Sequence, residues 1–290
     1  MTVLVTGATG NVGRLVVEGL VAEGAEVRAL SRAPERAARL LPAGVRTVDG
    51  DLGRPGTLDA ALKGVEQLFL FPVARTAREV VARAREAGVR RIVVLSSGAV
   101  SAGLDTTHHL PVERAVEESG LEWTHVRPGE FALNKLELWG PSIRAERVVR
   151  EPNPDFGWFP VHERDIADVA VAALLRDGHA GAAYTLNGPA AVTLRAQVRA
   201  IAEAIGEEIR LVEVTPEEAR ERYAAQGGFA AENADFLLGF ADYEGNPADP
   251  REIAAFDPAG LGPQPTAEAV TGVPARTFAR WARDHAADFR

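Results

Sequence analysis

The first half of the chain alternates short apolar runs with stretches in which apolar residues recur at helical spacing, and this alternation constrains the fold most strongly. Repeated strand–helix units predict a parallel sheet covered by helices on both faces, which keeps the strands apolar throughout. Helices are expected over Asn11–Ala22 and Ala74–Ala87. Strands are expected over Val3–Thr6, Glu26–Leu30, Val45–Val48, Gln67–Phe71, Arg91–Ser96 and Trp123–Val126. The pattern is typical of an α/β fold with a doubly wound sheet.

The second half is richer in proline, glycine and aromatic residues, especially over residues 131–159 and 227–265. Its predicted elements are helices over Arg164–Leu175, Leu194–Ala204 and Ala275–Ala287, and strands over Ala183–Leu186 and Ile209–Val214. Neither an internal repeat nor a low-complexity linker divides the sequence. We therefore expect a core of residues 1–150 followed by a smaller α+β lobe of residues 151–290, whose segments return to the core to give one continuous structural unit.

A glycine-rich turn, Gly7-Ala8-Thr9-Gly10-Asn11-Val12-Gly13, follows the first predicted strand and opens the first helix. Gly7 permits the tight turn, Gly10 lets a pyrophosphate approach the backbone, and Gly13 lets the helix pack closely on the strand. The helix start favours phosphate through its N–H groups and dipole. In this strand–turn–helix context the spacing predicts a Rossmann dinucleotide site, with a purely structural turn as the alternative. Its expected cofactor contacts are Gly7, Thr9, Gly10, Asn11, Val12 and Gly13.

The end of the second strand indicates which dinucleotide is bound. An acidic residue there would bind the ribose hydroxyls of NAD, but this chain has Ser31-Arg32. A hydroxyl and a guanidinium suit a 2′-phosphate, so NADP(H) is the expected cofactor, although an arginine at a strand end is also commonly solvated. Asp51 is expected to hold the adenine, or to cap the next helix, and Leu52 to cover the ring. Phe71 and Pro72, at the end of the fourth strand, are expected along the cofactor.

Composition narrows the partners. The formal net charge is −9 and no run of Lys and Arg is present, which argues against a nucleic-acid partner. The chain has no cysteine, so it has no disulfides, thiolate catalysis or cysteine-based metal sites. Met1 leads directly into an apolar strand without a basic leader or a long apolar segment. We expect a cytoplasmic monomer or homodimer that acts on a small molecule, without a membrane segment or a metal ion.

Several segments together carry a family resemblance: Thr6–Gly13, Ser31-Arg32, Gly50-Asp51-Leu52, Val94–Ser97, Gly120–Gly129, Phe159–Val169 and Val270–Phe278. They extend over most of the chain and resemble the NmrA-like branch of the atypical short-chain dehydrogenase/reductases. The resemblance implies a Rossmann core and a cofactor site that also includes Ser96, Pro128 and Gly129. Members of this branch include reductases of quinones and of secondary-metabolite ketones or imines, and also NADPH-sensing regulators without catalysis.

The catalytic pattern departs from that of the wider superfamily. Its ordinary members carry a Tyr-x-x-x-Lys pair whose tyrosine donates a proton, and a serine at the preceding strand end. Here the serine step is Ser96-Ser97, but His109 and Glu113 stand at the tyrosine–lysine spacing. His109 could donate the proton, because imidazole titrates near neutral pH. Alternatively, Ser97, water or the substrate's own hydroxyl completes the protonation, or the chain carries out no chemistry and the histidines are simply exposed.

Aromatic and polar residues follow the Arg127-Pro128-Gly129 turn, where the resemblance implies the nicotinamide and the substrate pocket. The expected pocket residues are Phe131, Asn134, Trp139, Trp158 and His162. Because only 6% of the chain is aromatic, this crowding suggests a flat or aromatic substrate, while core packing is the alternative for each single ring.

These observations favour an NADPH-dependent reductase that transfers hydride to a small cyclic or aromatic carbonyl, quinone or imine without the usual dyad, with secondary metabolism as one setting. The alternative is a non-catalytic NADP(H)-binding redox sensor that binds a protein partner. An isomerase or epimerase of a sugar nucleotide is disfavoured, because that reaction needs the missing tyrosine.

Overall fold

The computed structural model describes residues 1–251 and 263–290, which form two compact units. The first unit comprises Met1–Pro128, Glu163–Leu186 and Ala267–Val273. Its sheet has seven parallel strands in the order β3 (Arg46–Asp49), β2 (Glu26–Ser31), β1 (Thr2–Val5), β4 (Gln67–Leu70), β5 (Arg91–Leu95), β6 (Glu122–Pro128) and β9 (Ala182–Leu186). The strand order reverses between β1 and β4, and doubly wound sheets bind ligands at the carboxyl ends of the strands beside such a reversal.

Helices cover this sheet on both faces, as the apolar strands require. They are α1 (Asn11–Ala22), α2 (Pro34–Ala38), α3 (Asp59–Leu62), α4 (Ala77–Glu86), α5 (Gly98–Ser101), α6 (Leu110–Glu117), α8 (Glu163–Leu175) and a short helix, Glu268–Thr271. Helices α1 and α8 pack against each other. Residues of α4 and α6 share a buried cluster with Leu4, Leu68 and Ile92 of the sheet. This core fixes the strand ends at which the glycine-rich turn lies.

The second unit comprises Gly129–His162, Asn187–Thr266 and Pro274–Arg290, of which residues 252–262 lie outside the described part. Its elements are α7 (Asn134–Glu146), β7 (Val148–Glu151), β8 (Gly157–Trp158), β10 (Val192–Thr193), α9 (Leu194–Ile205), β11 (Arg210–Glu213), α10 (Pro216–Gln226), α11 (Gly228–Leu237) and a final helix, Phe278–Asp284. Strand β7 pairs in parallel with β11, and β8 pairs antiparallel with β10. Trp139, Trp281 and Phe289 are central to its apolar core.

The predicted fold class is confirmed, and all six strands of the first half occur within two residues of their expected bounds. The expected boundary at residue 150 falls inside β7 of the second unit, because the chain leaves the first unit after Pro128 and re-enters it at Glu163. The last helix is shorter than predicted. It begins at Phe278, where the Thr277 side chain accepts a hydrogen bond from the Arg280 N–H, and a 3₁₀ turn follows at Ala286–Phe289.

Candidate cofactor and catalytic site

Two positions of the glycine-rich turn, Gly7 and Gly13, have a backbone that only glycine fits. Gly7 has a φ of +59°, in the left-handed region, and its carbonyl oxygen accepts a hydrogen bond from the Gly10 N–H at 2.9 Å. A Cβ atom on Gly7 would also lie 3.2 Å from Phe71, and one on Gly13 would collide with the Gly7 carbonyl. Gly13 therefore lets the helix pack on the turn itself, whereas the sequence suggested packing on the strand.

A cavity of about 670 Å³ adjoins this turn and is lined by residues of the first unit. Eight expected cofactor contacts line it: Gly7, Thr9, Gly10, Ser31, Arg32, Asp51, Leu52 and Phe71. Six other expected contacts are not among the cavity-lining residues. Of these, Asn11 is exposed at the start of α1, Pro72 is half-buried, and four are buried: Val12, Gly13, Ser96 and Pro128. Gly129 begins the second unit. The cofactor contacts of all fifteen residues remain predictions.

Three arginines make the cavity electropositive. Arg32 is joined there by Arg36, which lies in α2, and by Arg75, which follows β4. The Arg75 guanidinium lies where a Cβ on Gly53 would be. Sequence reasoning missed two of these arginines: Arg36 is near Arg32 in the sequence and could have been considered, but only the folded chain brings Arg75 there. Guanidinium groups bind phosphate through charge-assisted hydrogen bonds, so this lining suits a phosphorylated nucleotide.

Asp51 is fixed in a turn on the cavity wall. Its carboxylate accepts hydrogen bonds from the Gly53 N–H at 2.8 Å and the Arg54 Nε at 3.3 Å. The Gly53 hydrogen bond, aided by the neighbouring arginines, lowers the pKa of Asp51 and keeps it anionic. The expected helix cap is not seen, because Arg54 rather than Asp51 precedes the 3₁₀ turn that begins at Pro55. An ionised carboxylate here can accept a hydrogen bond from an adenine amino group or a ribose hydroxyl.

Two apolar side chains on the cavity wall are unusually exposed, Phe71 at 44% and Leu40 at 53%. Thr6 fixes the backbone beside the phenyl ring, since its Oγ1 accepts from the Phe71 N–H at 2.7 Å and donates to the Phe69 carbonyl at 2.9 Å. Ligand pockets are commonly lined by apolar and aromatic side chains. The cavity therefore offers apolar surface for a base or nicotinamide ring beside its arginines.

The two residues considered as proton donors, Ser97 and His109, both follow β5 in the first unit. Ser97 caps α5, because its Oγ accepts from the Ala99 N–H at 3.2 Å. Further along the same loop, His109 precedes α6, and its Nδ1 lies 2.6 Å from the Asp105 Oδ2. Asp105 is 1% exposed and the His109 side chain is 22% exposed. Sequence reasoning named His109 and missed Asp105, four residues earlier.

An ion pair between Glu113 of α6 and Arg127 of β6 lies in the same part of the first unit. Arg127 donates to both oxygens of Glu113, from Nε at 2.9 Å and from a terminal nitrogen at 2.5 Å, and Ser96 donates to the same carboxylate at 2.5 Å. Burial raises the pKa of Glu113, but the hydrogen bonds from Arg127 and Ser96 outweigh it, so the net pKa is lowered. Glu113 is therefore a carboxylate that binds α6 to β6, whereas ordinary members of the superfamily have a lysine at this spacing.

A further buried histidine, His125, lies beside this pair. Its Nε2 is 3.1 Å from Glu117, its ring stacks on Trp123, and its Nδ1 has no hydrogen-bond partner among the described residues. Burial lowers the pKa of His125, which favours the neutral ring. Potential ligand atoms of Glu113, Glu117 and His125 lie within 4.8 Å of one another. Because both Glu113 oxygens already accept from Arg127, we interpret the group as a charge network, and the absence of a metal remains a prediction.

Two of the expected substrate-pocket residues are buried in the second unit. Trp139 is 2% exposed, and its Nε1 donates to the Glu151 Oε1 at 2.5 Å, an oxygen that also accepts from the Tyr223 hydroxyl. Burial raises the pKa of Glu151, more than its hydrogen bonds lower it. Trp139 thus packs in the core rather than on an open surface, the alternative that its sequence context allowed. His162 is 1% exposed, and its Nε2 lies 3.4 Å from Asp284.

The other three expected pocket residues are half-buried. Phe131 forms a bridge with Val161, and Asn134 is the first residue of α7. Trp158, in β8, stacks on Phe156 with ring centroids 6.4 Å apart and meets the edge of Phe159 at 6.1 Å. Their role in substrate binding remains a prediction.

Comparisons with known proteins identify the family of this chain. A family model described as NAD(P)H-binding matches residues 7–177. A (4-alkanoyl-5-oxo-2,5-dihydrofuran-3-yl)methyl phosphate reductase from Streptomyces griseus is 38% identical over 99% of each chain, and an NAD(P)H azoreductase from Xenophilus azovorans is 34% identical over 99% of each. The structure of triphenylmethane reductase from Citrobacter sp., complexed with NADP(H), shares the fold with a TM-score of 0.77, at 20% identity over 99% of this chain and 100% of that one.

Proposed function

Because the chain belongs to the family of NAD(P)H-binding proteins, we propose that it is an NADPH-dependent reductase of a small, flat, conjugated acceptor. The predicted oxidoreductase class and NAD(P) binding are confirmed by this membership and by relatives that are reductases. The observation that carries the cofactor preference is the arginine-lined cavity beside the glycine-rich turn. An acidic residue at the end of β2 would repel a 2′-phosphate, whereas Arg32, Arg36 and Arg75 attract it.

The names of the relatives support the acceptor class. They specify an alkanoyl-furanone phosphate reductase, an azoreductase and a triphenylmethane reductase. An acylated furanone, an azo compound and a triphenylmethane dye all carry conjugated bonds that accept hydride. We therefore extend the expected cyclic or aromatic carbonyls, quinones and imines to azo compounds and activated carbon–carbon double bonds.

The residues of the chain divide the task. The turn Gly7–Gly13 would hold the pyrophosphate, Arg32, Arg36 and Arg75 the 2′-phosphate, and Asp51 the adenosine. When bound, the cofactor supplies hydride. The chain's contribution is to position the cofactor, to exclude water and to provide a proton for the reduced acceptor.

Turnover with purified protein tests the proposal. We expect NADPH absorbance to fall when the protein is mixed with a quinone, an azo dye, a triphenylmethane dye or an acylated furanone, with NADH less effective at equal concentration. Heat-denatured protein controls for direct reaction between NADPH and the acceptor. If NADPH binds but none of these acceptors is reduced, the reductase proposal is wrong.

A non-catalytic NADP(H) sensor is the second candidate, favoured by the absence of a Tyr-x-x-x-Lys pair in this chain. It predicts cofactor binding without turnover, together with a protein partner recovered in only one cofactor state. We further propose a cytoplasmic location, a monomeric or homodimeric state and no nucleic-acid partner. None of the described helices is long and apolar enough to span a bilayer.

A further inference from the structure

The connection between β5 and α6, which contains the short helix α5, holds a buried carboxylate against a histidine ring. Asp105 accepts hydrogen bonds from the backbone N–H groups of His108 at 2.9 Å and His109 at 3.0 Å, and its Oδ2 lies 2.6 Å from the His109 Nδ1. Asp105 is 1% exposed, whereas the imidazole beside it is 22% exposed. One carboxylate therefore fixes both the backbone that carries the histidine and the direction of its ring.

The connection that carries this pair leaves the sheet at its ligand-binding edge. The loop leaves β5 at its carboxyl end, and β5 is the neighbour of β4, which in turn adjoins β1. The glycine-rich turn follows β1 and Phe71 follows β4, so the three connections emerge from adjacent parallel strands at one edge. In doubly wound sheets this edge carries the ligand.

We propose that His109 donates the proton that completes the reduction and that Asp105 is the positioning residue that holds its ring for this step. This inference rests on the proposed reductase function. A carboxylate that accepts from Nδ1 fixes this nitrogen as the N–H, so that Nε2 is the ring nitrogen that exchanges a proton with a ligand. The same carboxylate orients the ring, as the aspartate does in catalytic triads.

The step balances in atoms and charge. Addition of hydride to a neutral acceptor, such as a quinone, an azo compound or an acylated furanone, forms a carbon–hydrogen or nitrogen–hydrogen bond and moves an electron pair onto the acceptor's oxygen, nitrogen or α-carbon. A cationic triphenylmethane dye is neutralised by the hydride alone and needs no proton. The His109 imidazolium then transfers its Nε2 proton to that anion, so one N–H bond breaks as one bond to the acceptor forms. The ring becomes neutral and takes a new proton from water before the next cycle.

Asp105 keeps its charge although it is buried. Burial raises the pKa of its carboxyl, but the hydrogen bonds from His108 and His109 more than offset this effect, and the net pKa is lowered. Asp105 thus remains ionised at neutral pH and can support a positive ring.

Nitrogen NMR of the histidine rings tests the pair without cofactor or substrate. At about pH 8.5, above the ordinary imidazole range, we expect His109 to carry its proton on Nδ1. In Asp105→Asn the amide still accepts from the two backbone N–H groups but no longer provides the carboxylate, so the Nδ1–H form should lose most of its population. A wild-type His109 with its proton on Nε2 would overturn the proposal.

Kinetics tests the proton transfer. With a quinone as acceptor, we expect His109→Ala to lower kcat by about 100-fold and Asp105→Asn by about 10-fold or more, with the Kd for NADPH unchanged. Added imidazole should restore part of the rate in His109→Ala only. His108→Ala is the matched control and should keep wild-type kcat, because its ring lies against Thr107 rather than Asp105.

The outcomes separate the two proposals. If wild type reduces none of the acceptors, the proposed function fails. If wild type turns over and His109→Ala keeps its rate, the inference fails while the function stands. The His109→Ala variant leaves Asp105 and both backbone hydrogen bonds in place, so this test holds even where Asp105→Asn is poorly folded.

Discussion

Gly13 has no room for a side chain, because a Cβ atom there would overlap the carbonyl oxygen of Gly7. We expect Gly13→Ala to reduce the free energy of unfolding by about 1–3 kcal/mol and to weaken NADPH binding, since the turn must move to relieve the overlap. Urea denaturation and cofactor titration would measure the two effects.

Gly56→Ala is the control for that substitution. A Cβ on Gly56 would meet only the end of the Arg83 side chain at 3.9 Å, so both stability and NADPH binding should stay near wild type. Wild-type binding in Gly13→Ala would show that the turn tolerates a side chain, contrary to its geometry.

Local sequence allowed some site residues to be predicted and hid others. The glycine-rich turn could be recognised from seven consecutive residues, because its own backbone is what approaches a phosphate. Arg75 reaches the same cavity only because the connections after β3 and β4 meet in the fold. Trp139 was predicted to line a pocket but is buried on Glu151 and Tyr223, since aromatic composition alone does not distinguish a core from a site.

One ion pair, Glu113–Arg127, joins α6 to β6 in addition to the apolar packing of the helix, and its carboxylate is buried. Replacing Glu113 by Gln should reduce the free energy of unfolding at pH 7 by about 2–4 kcal/mol, because a buried guanidinium loses its counter-charge. The folded pKa of Glu113 is lowered, so its contribution is complete above the unfolded glutamate pKa and is lost as pH falls through the folded value. The gap between wild type and variant should therefore narrow below about pH 4.3.

Urea denaturation between pH 7 and about pH 3, which extends below the unfolded glutamate pKa, would measure this gap. Glu118→Gln is the control, since the Arg78–Glu118 pair is exposed and solvent screens its charges. It should leave stability nearly unchanged at both pH values. An equally small effect of Glu113→Gln would contradict a stabilising role for the buried pair.

Elements with many consecutive apolar residues were predictable, and short ones were not. Strands β1, β4 and β5 are largely apolar runs that need no knowledge of their partners, whereas β3 contains a single aliphatic residue, Val48. Strands β8 and β10 have two residues each, and they are defined only by pairing between Trp158 and Val192 and between Gly157 and Thr193. Such long-range pairing leaves no periodic signal in the sequence.

At the scale of the whole molecule, cofactor binding should stabilise the fold. NADPH at about 100 times its Kd should add about 2.7 kcal/mol to the free energy of unfolding, and NADH at the same concentration should add less. In Arg32→Ala the advantage of NADPH should shrink, because the cavity loses one of its three guanidinium groups. Thermal denaturation with each cofactor would measure this.

Arg78→Ala is the control for the cofactor experiment, because Arg78 is not among the residues that line the cavity and is paired with Glu118. It should retain the full difference between NADPH and NADH. Equal stabilisation of the wild-type protein by both cofactors would exclude the proposed 2′-phosphate preference.

The chain crosses from the first unit to the second after Pro128 and returns at Glu163. Every strand of the seven-stranded sheet lies outside residues 129–162, since β6 ends at Pro128 and β9 begins at Ala182. Exchange of residues 129–162 between relatives would therefore leave the sheet uninterrupted. Because Trp139 and Val149 of this segment pack in one core with Trp281 and Phe289, recombination at these two junctions has to carry the rest of the second unit with it, while the glycine-rich turn and its cavity are inherited unchanged.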